Sequence, residues 1–249
     1  MKYIFTEHYK VYKEEIKNFV LHFNTEGKDF IVGQRNSIKL FDLNGEKLNI
    51  KAFKIPNIIN QIAYKFLRKS KAQRSFEYGN KLLELGIGTP KPVAYFEFST
   101  LFLFKKSFYV SEQLECDLTY RELIHDFNYP DYDTILRAFT RFTFSLHEKG
   151  VHFLDHSPGN TLIKKNGEGY DFYLVDLNRM NFGEMDFGTR MKNFARLSHY
   201  KEMVEVMSDE YAKCIGEDYD KVFNAMWKGV EGFRTKRARK KELKKKFKL

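Results

Sequence analysis

An aspartate, an asparagine and a second aspartate, in that order, are the residues of this sequence whose types and spacing best suit chemistry. Asn160 stands five positions after Asp155, and Asp176 follows sixteen positions later, behind the apolar run Tyr-Leu-Val. A positioned carboxylate can orient or deprotonate a hydroxyl group, and carboxylate and amide oxygens are ligands for Mg2+. Phosphoryl transfer from a nucleotide needs groups of this kind. We therefore expect Asp155 to act on an acceptor hydroxyl, and Asn160 and Asp176 to bind magnesium.

Each of these three residues also has a purely structural interpretation. Asp155 and Asn160 could form turn hydrogen bonds around Pro158 and Gly159, and Asp176 could cap the segment that follows a strand. A single motif of this type also occurs by chance. All three residues in order, flanked by sequence typical of strands, favour the catalytic interpretation.

The first half of the chain is predicted to form a small antiparallel sheet with a helical insertion. Two β-rich runs, 37–42 and 47–53, are separated by Asn-Gly at 44–45, a strong hairpin signal because both residues tolerate positive φ. Apolar residues at helical spacing then predict helices over 57–85, with a break near Ser70.

The second half of the chain is predicted to be mostly helical. Two further strands, 93–98 and 101–110, come before the change of pattern, and a second short hairpin is predicted over 161–164 and 171–175. The expected fold class is therefore α+β, with an N-terminal antiparallel sheet and a helical C-terminal part.

Composition excludes several other classes of protein. Cys116 and Cys214 are too few and too isolated for a disulfide framework or a zinc site. No run of about eighteen apolar residues occurs, and the charged N-terminus lacks the apolar stretch of a signal peptide. We therefore expect a cytoplasmic protein.

Five segments of the sequence have distinctive local motifs. They are Ser-Lys-Ala-Gln-Arg-Ser-Phe-Glu77, Leu-Gly-Ile-Gly-Thr-Pro90, Leu-Thr-Tyr-Arg-Glu122-Leu, Asp155-His-Ser-Pro-Gly-Asn160 and Val-Asp176-Leu-Asn-Arg179. Together, over roughly residues 30–200, they resemble the lipopolysaccharide core kinases, the Kdo/heptose kinase group of the protein-kinase-like superfamily. The resemblance implies a two-lobed protein-kinase-like catalytic domain over 1–232, with an N-lobe over about 1–112, a C-lobe over about 113–232, and a basic tail over 233–249.

The resemblance also implies a nucleotide site, with ATP and Mg2+ as cofactors. Lys51 corresponds to the lysine that contacts the α- and β-phosphates, and Glu77 to its ion-pair partner. Lys54 is the alternative for the first role, and a solvated strand lysine is the structural alternative for Lys51. Strand alternation favours Lys51, because Leu48 and Ile50 share one face of the strand and Lys51 points to the other.

The sequence departs from protein kinases at several positions. The segment 32–36 has one glycine and no Gly-rich phosphate loop, Phe-Leu precedes Asp155 where His-Arg is usual, and Leu-Asn follows Asp176 where Phe-Gly is usual. No Ala-Pro-Glu segment follows. Kinases of small molecules and lipid-linked sugars in this superfamily tolerate such losses, and protein kinases generally do not. The resemblance to lipopolysaccharide core kinases implies a lipid-linked sugar as substrate.

Three further residues near the predicted site have two interpretations each. His152 could be a second acid or base, or a packed histidine with satisfied nitrogens. Arg179 and Arg190, which follow the second aspartate, could bind an anionic acceptor or form surface ion pairs.

The positive charge of the chain is concentrated at its C-terminal end. Residues 234–249 hold ten Lys or Arg and one Glu, a net of +9 out of +10 for the whole chain. Each such cation near an anionic bilayer is worth about 1 kcal/mol, so we expect peripheral contact with the inner face of the cytoplasmic membrane. Binding of nucleic acid and a solvated, disordered end are the alternatives, and nucleic acid is disfavoured.

The activity that the resemblance implies is ATP-dependent phosphorylation of a sugar hydroxyl of lipopolysaccharide, with Kdo on lipid A as the expected acceptor. An atypical protein or tRNA-linked kinase is one alternative. A pseudokinase that only binds its partner is another, and it is disfavoured because a scaffold needs none of the five site residues, Lys51, Glu77, Asp155, Asn160 and Asp176.

Overall fold

The computed structural model describes residues 1–33 and 36–246. Part of the predicted phosphate loop, at 34–35, and the last three residues of the predicted tail lie outside the described residues. Internal contacts divide the chain into two units. Unit 1 is Met1–Glu115 with Asp176–Asn178, and unit 2 is Cys116–Val175 with Arg179–Leu249.

Unit 1 contains a six-stranded antiparallel sheet. Its strands are β1 (Lys2–Phe5), β2 (Lys28–Val32), β3 (Asn36–Leu43), β4 (Glu46–Phe53), β5 (Pro92–Ser99) and β6 (Phe104–Glu112). They are ordered β1-β5-β6-β4-β3-β2. The predicted hairpin is β3 with β4, and both turn residues, Asn44 and Gly45, have positive φ.

Helices cover both faces of this sheet. They are a 3-10 helix (Glu7–Tyr12), α1 (Lys13–Leu21), α2 (Ile58–Phe66) and α3 (Lys71–Glu84). The predicted break near Ser70 is confirmed, because the Ser70 hydroxyl caps α3 by accepting a hydrogen bond from the Gln73 amide. Leu48 and Ile50 pack into the cluster that includes α1, whereas Phe53 packs with α3.

The apolar side of α2 is exposed, although its helical spacing would ordinarily indicate a buried face. Its exposed fractions include 54% for Ile58, 74% for Ile59 and 61% for Phe66, and the following Leu67 is 81% exposed. The buried residue of the helix is the polar Gln61. In unit 1 the helix therefore presents its apolar face outward.

Unit 2 is built mainly from helices. Its strands are β7 (Leu118–Thr119), β8 (Val151–Phe153), β9 (Thr161–Asn166), β10 (Gly169–Leu174) and β11 (Met180–Phe182), and its helices are α4 (Tyr120–His125), α5 (Tyr132–Glu148), α6 (Phe187–Asn193), α7 (Lys201–Ile215) and α8 (Tyr219–Lys246). Two short 3-10 helices, Pro158–Asn160 and Phe194–Arg196, follow β8 and α6. The strands pair as β10-β9-β7 and β11-β8. The predicted α+β class is confirmed.

The core of unit 2 lies where α5, α7 and α8 pack together. Phe139, Tyr211 and Met226 are fully buried there. Helix α8 does not stop at residue 232 but continues through the basic segment to Lys246. Among the described residues, no helix is both long and apolar enough to cross a membrane.

Candidate active site

Asp176 has a backbone conformation that residues other than glycine rarely adopt. Its φ is 59°, in the left-handed region, immediately after the strand that ends at Leu174. Such conformations cost of order 1–3 kcal/mol and persist where the surrounding contacts enforce them. The carboxylate of Asp176 is held by hydrogen bonds from two side chains.

The Asp176 carboxylate accepts two short hydrogen bonds within unit 1. Nζ of Lys51 and Nδ2 of Asn178 each lie 2.7 Å from its Oδ1. The Lys51 side chain is only 13% exposed, and the Asp176 side chain 29%. Lys54, the alternative lysine, is instead exposed and lines a cavity with Asn57 and Tyr64. The structure thus brings the sequence-predicted Lys51 and Asp176 together.

A glycine on α3 allows the segment after Asp176 to lie close to that helix. A Cβ atom on Gly79 would stand 2.7 Å from Cγ of Pro92 and 3.3 Å from both Cδ1 of Leu177 and the Tyr109 hydroxyl. Any larger residue would therefore displace its neighbours. The close approach seats Leu177 beside α3 and so helps to fix Asp176.

The expected ion pair between Lys51 and Glu77 does not form in this structure. Glu77 accepts hydrogen bonds from Lys69 at 2.7 Å and from Gln73 at 2.9 Å, while Lys51 is bound to Asp176. Lys69 lies eight positions before Glu77, directly before the Ser70 cap of α3. This lysine takes the Glu77 carboxylate, and sequence spacing alone cannot rank Lys51 and Lys69 as its partners.

Asp155 lies in unit 2, at the turn after β8, where arginines hold its carboxylate. Nη1 of Arg196 is 2.6 Å from Oδ1, and Nη1 of Arg179 is 3.9 Å from Oδ2. The Asp155 side chain is 18% exposed, so it stays accessible. Nδ2 of Asn160 donates to the Asp155 carbonyl at 2.8 Å. That bond uses the amide nitrogen and leaves the amide oxygen of Asn160 as the potential metal ligand.

A buried hydrogen-bonded chain supports the turn that carries Asp155. Asn193 donates to the Phe153 carbonyl at 2.8 Å, and its amide oxygen lies 3.1 Å from Nε2 of His147. Nδ1 of the same histidine lies 2.8 Å from the Tyr211 hydroxyl. Burial lowers the pKa of His147 to about 4, so the ring is neutral at pH 7. The chain ties β8 to α5, α6 and α7.

The histidines on either side of Asp155 are packing residues rather than obvious acids or bases. His156 is buried against the rings of Phe139 and Phe153, and burial lowers its pKa to about 3. His152 lies on β8 opposite Asn181, and burial also lowers its pKa. His152 is half-buried, and burial disfavours its charged form.

Arg196 is the site residue that sequence analysis missed. Arg190, which the sequence offered as an anion ligand, instead forms an ion pair with Glu148 at 2.5 Å. Arg179 lies near Asp155 and is 61% exposed. Arg196 belongs to a short 3-10 helix with no motif around it, so only the folded chain identifies its contact with Asp155.

The family can now be assigned by comparison with known proteins. The model of the lipopolysaccharide kinase (Kdo/WaaP) family matches residues 36–219, well over half of the 249 residues. The chain belongs to this family. The match includes Lys51, Asp155, Asn160 and Asp176, and it confirms the resemblance that the sequence motifs indicated.

Members of this family are kinases that phosphorylate sugars of lipopolysaccharide, and this kinase uses ATP accordingly. A solved structure described as WaaP in complex with acyl carrier protein has the same fold, with a TM-score of 0.62 at 16% identity. The alignment covers 96% of this kinase and 99% of the WaaP chain. No curated protein matches the chain.

Proposed function

We propose that this lipopolysaccharide kinase transfers the γ-phosphate of ATP to a hydroxyl of Kdo on lipid A. The 2.7 Å contact between Lys51 and Asp176 carries the phosphoryl-transfer part of the proposal, since a kinase needs both groups at its nucleotide phosphates. The family match supports a lipopolysaccharide sugar as the acceptor. In this proposal Lys51 binds the α- and β-phosphates, and Asp155 orients the acceptor hydroxyl and accepts its proton.

Magnesium suits the oxygen donors of its two predicted ligands, Asp176 in unit 1 and Asn160 in unit 2. Asp176 retains its Oδ2 atom, because Lys51 and Asn178 both bind Oδ1, and Asn160 retains its amide oxygen. Magnesium prefers such hard oxygen ligands and usually takes only one or two from the protein, with water and phosphate oxygens supplying the rest. When bound, it would offset the negative charge of the phosphates.

Arg196 has a positioning role in this proposal. Its guanidinium binds both the Asp155 carboxylate and, at 3.2 Å, the Leu154 carbonyl, so it fixes the direction in which the carboxylate points. A base held in one orientation is more effective than a mobile one, because less conformational entropy is lost when the reacting geometry forms. The buried chain from Phe153 through Asn193 to His147 reinforces the same turn.

The test is mass spectrometry of Kdo-lipid A after incubation with the purified kinase and MgATP. We expect the mass of one added phosphate with the wild type and with Asp220→Asn, an exposed aspartate at the start of α8. Asp155→Asn should give no product while still showing thermal stabilisation by MgATP. A wild type that binds MgATP but leaves Kdo-lipid A unmodified would rule out this acceptor.

We also propose that the kinase works while bound peripherally at the cytoplasmic face of the membrane. Two observations support this. Ile59 on the apolar face of α2 and Leu67 directly after the helix are strongly exposed. Lys65, Arg68 and Lys69 accompany them, which is the composition of a membrane-surface segment. The basic part of α8 supplies a second, purely electrostatic attraction.

Sedimentation with phospholipid vesicles separates the two contributions. Ile59→Ser with Leu67→Ser should weaken binding to anionic vesicles at both low and high salt. Replacing Lys240, Lys241, Lys244 and Lys245 by Gln should weaken it mainly at low salt, because exposed charges are screened. Wild-type protein that stays in the supernatant with anionic vesicles at low salt would overturn the membrane proposal.

A further inference from the structure

A second concave site lies in unit 2, directly beside the turn that carries Asp155. The cavity has a volume of about 660 Å3 and is bounded by the Ser157–Gly159 segment, α4, the 195–199 segment and α8. Four arginines line it, and they are Arg121, Arg196, Arg234 and Arg237. Among the residues that the structure describes, no aspartate or glutamate lines it. The cavity is therefore strongly electropositive.

Most of these arginines have no close ion-pair partner among the described residues, although Glu122 stands next to Arg121 in the sequence. Arg196 is paired with Asp155, but Arg121, Arg234 and Arg237 form no ion pair within the described part of the chain. Like charges held together repel each other, so such a cluster favours the binding of an anion. Arginine is suited to this task because its planar fork binds carboxylate or phosphate through two hydrogen bonds.

The cavity is also connected to the catalytic turn by close contacts. A Cβ atom on Gly159 would lie 2.5 Å from Nη2 of Arg121, so the glycine lets this guanidinium lie against the turn. On another side, Arg196 reaches Asp155 with its Nη1 atom while its guanidinium lies 5.7 Å from the centre of the Phe233 ring. One arginine thus belongs both to the cavity wall and to the catalytic carboxylate.

The rest of the lining is mixed, with His125, His199 and two serines beside several apolar side chains. Ile124, Leu197, Val230 and Phe233 give the cavity walls that a sugar ring or the start of an acyl chain can contact. Anionic groups and apolar surface side by side are features of a glycolipid headgroup rather than of a free inorganic ion. The cavity is large enough for a group of several atoms.

We propose that this cavity binds an anionic group of the acceptor glycolipid, a carboxylate or a phosphate, and so places the acceptor hydroxyl at Asp155. This inference rests on the proposed function. Arg121, Arg234 and Arg237 hold the anion, and Arg196 couples its position to the catalytic carboxylate. The first turns of the basic segment of α8 are accordingly part of the substrate site, and only the turns beyond them are left for the membrane.

The test is acceptor kinetics of Arg121→Ala, because Arg121 lies on α4 and outside the basic segment of α8. We expect the KM for Kdo-lipid A in neutral detergent micelles to rise about tenfold or more, with the KM for ATP unchanged. Arg121→Lys should recover part of the affinity, since it restores charge without the fork. The control is Lys228→Ala, an exposed α8 lysine outside the cavity, which should match the wild type.

Competition experiments identify the chemical source of the anion. Free Kdo should compete with the acceptor if the cavity binds a sugar carboxylate, and glucosamine 1-phosphate should compete if it binds a phosphate. In either case Arg234→Ala with Arg237→Ala should abolish the competition.

An unchanged acceptor KM in Arg121→Ala, with neither compound competing, would overturn the inference while leaving the kinase active. A wild type inactive on Kdo-lipid A would instead refute the proposed function.

Discussion

Nζ of Lys51 lies 2.7 Å from Oδ1 of Asp176, although the two residues are 125 positions apart in the sequence. Lys51 comes from β4, one of the two central strands of the six-stranded sheet. Asp176 comes from a turn with positive φ in the second half of the chain, and this turn belongs to unit 1. A lysine on a rigid sheet strand is held within a small volume. Under the proposed function, this pairing would place a cation at the nucleotide phosphates.

Lys51→Ala should lower kcat/KM for ATP by about 100-fold or more, because one preorganised phosphate ligand is lost. Steady-state kinetics with varied MgATP measures this effect. Lys54→Ala is the matched control, since Lys54 follows on the same stretch of chain and is exposed. Its kcat/KM for ATP should stay within about threefold of the wild type. A larger loss in Lys54→Ala than in Lys51→Ala would mean that Lys54 is the phosphate ligand.

Asn193→Ala should destabilise the protein by about 1–3 kcal/mol, because the Phe153 carbonyl and His147 both lose a buried partner. It should also lower kcat, since the turn that carries Asp155 loses its support. Urea unfolding and kinetics measure the two effects. Asn181 is an exposed residue on β11, and Asn181→Ala should change neither the stability nor kcat by much. Full activity in Asn193→Ala would show that the buried chain has no positioning role.

The stability of the protein should fall as the pH is lowered from 6.5 to 4. Burial lowers the pKa of His147 to about 4 and that of His156 to about 3, whereas an unfolded histidine titrates near 6.5. In this window the unfolded chain binds protons that the folded chain does not. The free energy of unfolding therefore decreases by up to about 1.4 kcal/mol per pH unit for each histidine.

His156→Leu tests that pH dependence, because leucine keeps the apolar packing against Phe139 and Phe153 and removes one titrating group. Between pH 6.5 and 4, the slope of unfolding free energy against pH should be smaller for the variant than for the wild type. Equal slopes would mean that His156 is not kept neutral by burial.

Two helix glycines should respond to alanine in opposite directions. Gly79→Ala should destabilise the protein by about 1 kcal/mol or more, because strain against Pro92 and Leu177 exceeds the gain of about 1 kcal/mol in helix propensity. In α8 a Cβ atom on Gly229 would meet its nearest neighbour at 3.6 Å, so Gly229→Ala should be neutral or stabilising. Thermal unfolding of both variants measures the difference, and stabilisation by Gly79→Ala would contradict the close packing of α3.

Local sequence signals located most of the helices and strands. The Asn-Gly turn of the β3–β4 hairpin and the Ser70 cap depend on the φ preferences and hydrogen bonds of a few neighbouring residues, so a local pattern predicts them. The length of the basic helix and the exposed face of α2 were not predictable in this way. Spacing shows that a helix has an apolar side, but only its neighbours decide whether that side is covered.

The order of Asp155, Asn160 and Asp176 in the chain was enough to indicate phosphoryl transfer, because each residue type carries its own chemistry and the motif spacing is local. Partner choice was decided only by the tertiary structure. Lys51 binds Asp176 and not Glu77, and Arg196 binds Asp155 although no sequence motif indicates this contact. An ion pair depends on distances of a few ångströms between distant segments, and these distances exist only once the sheet and helices have packed.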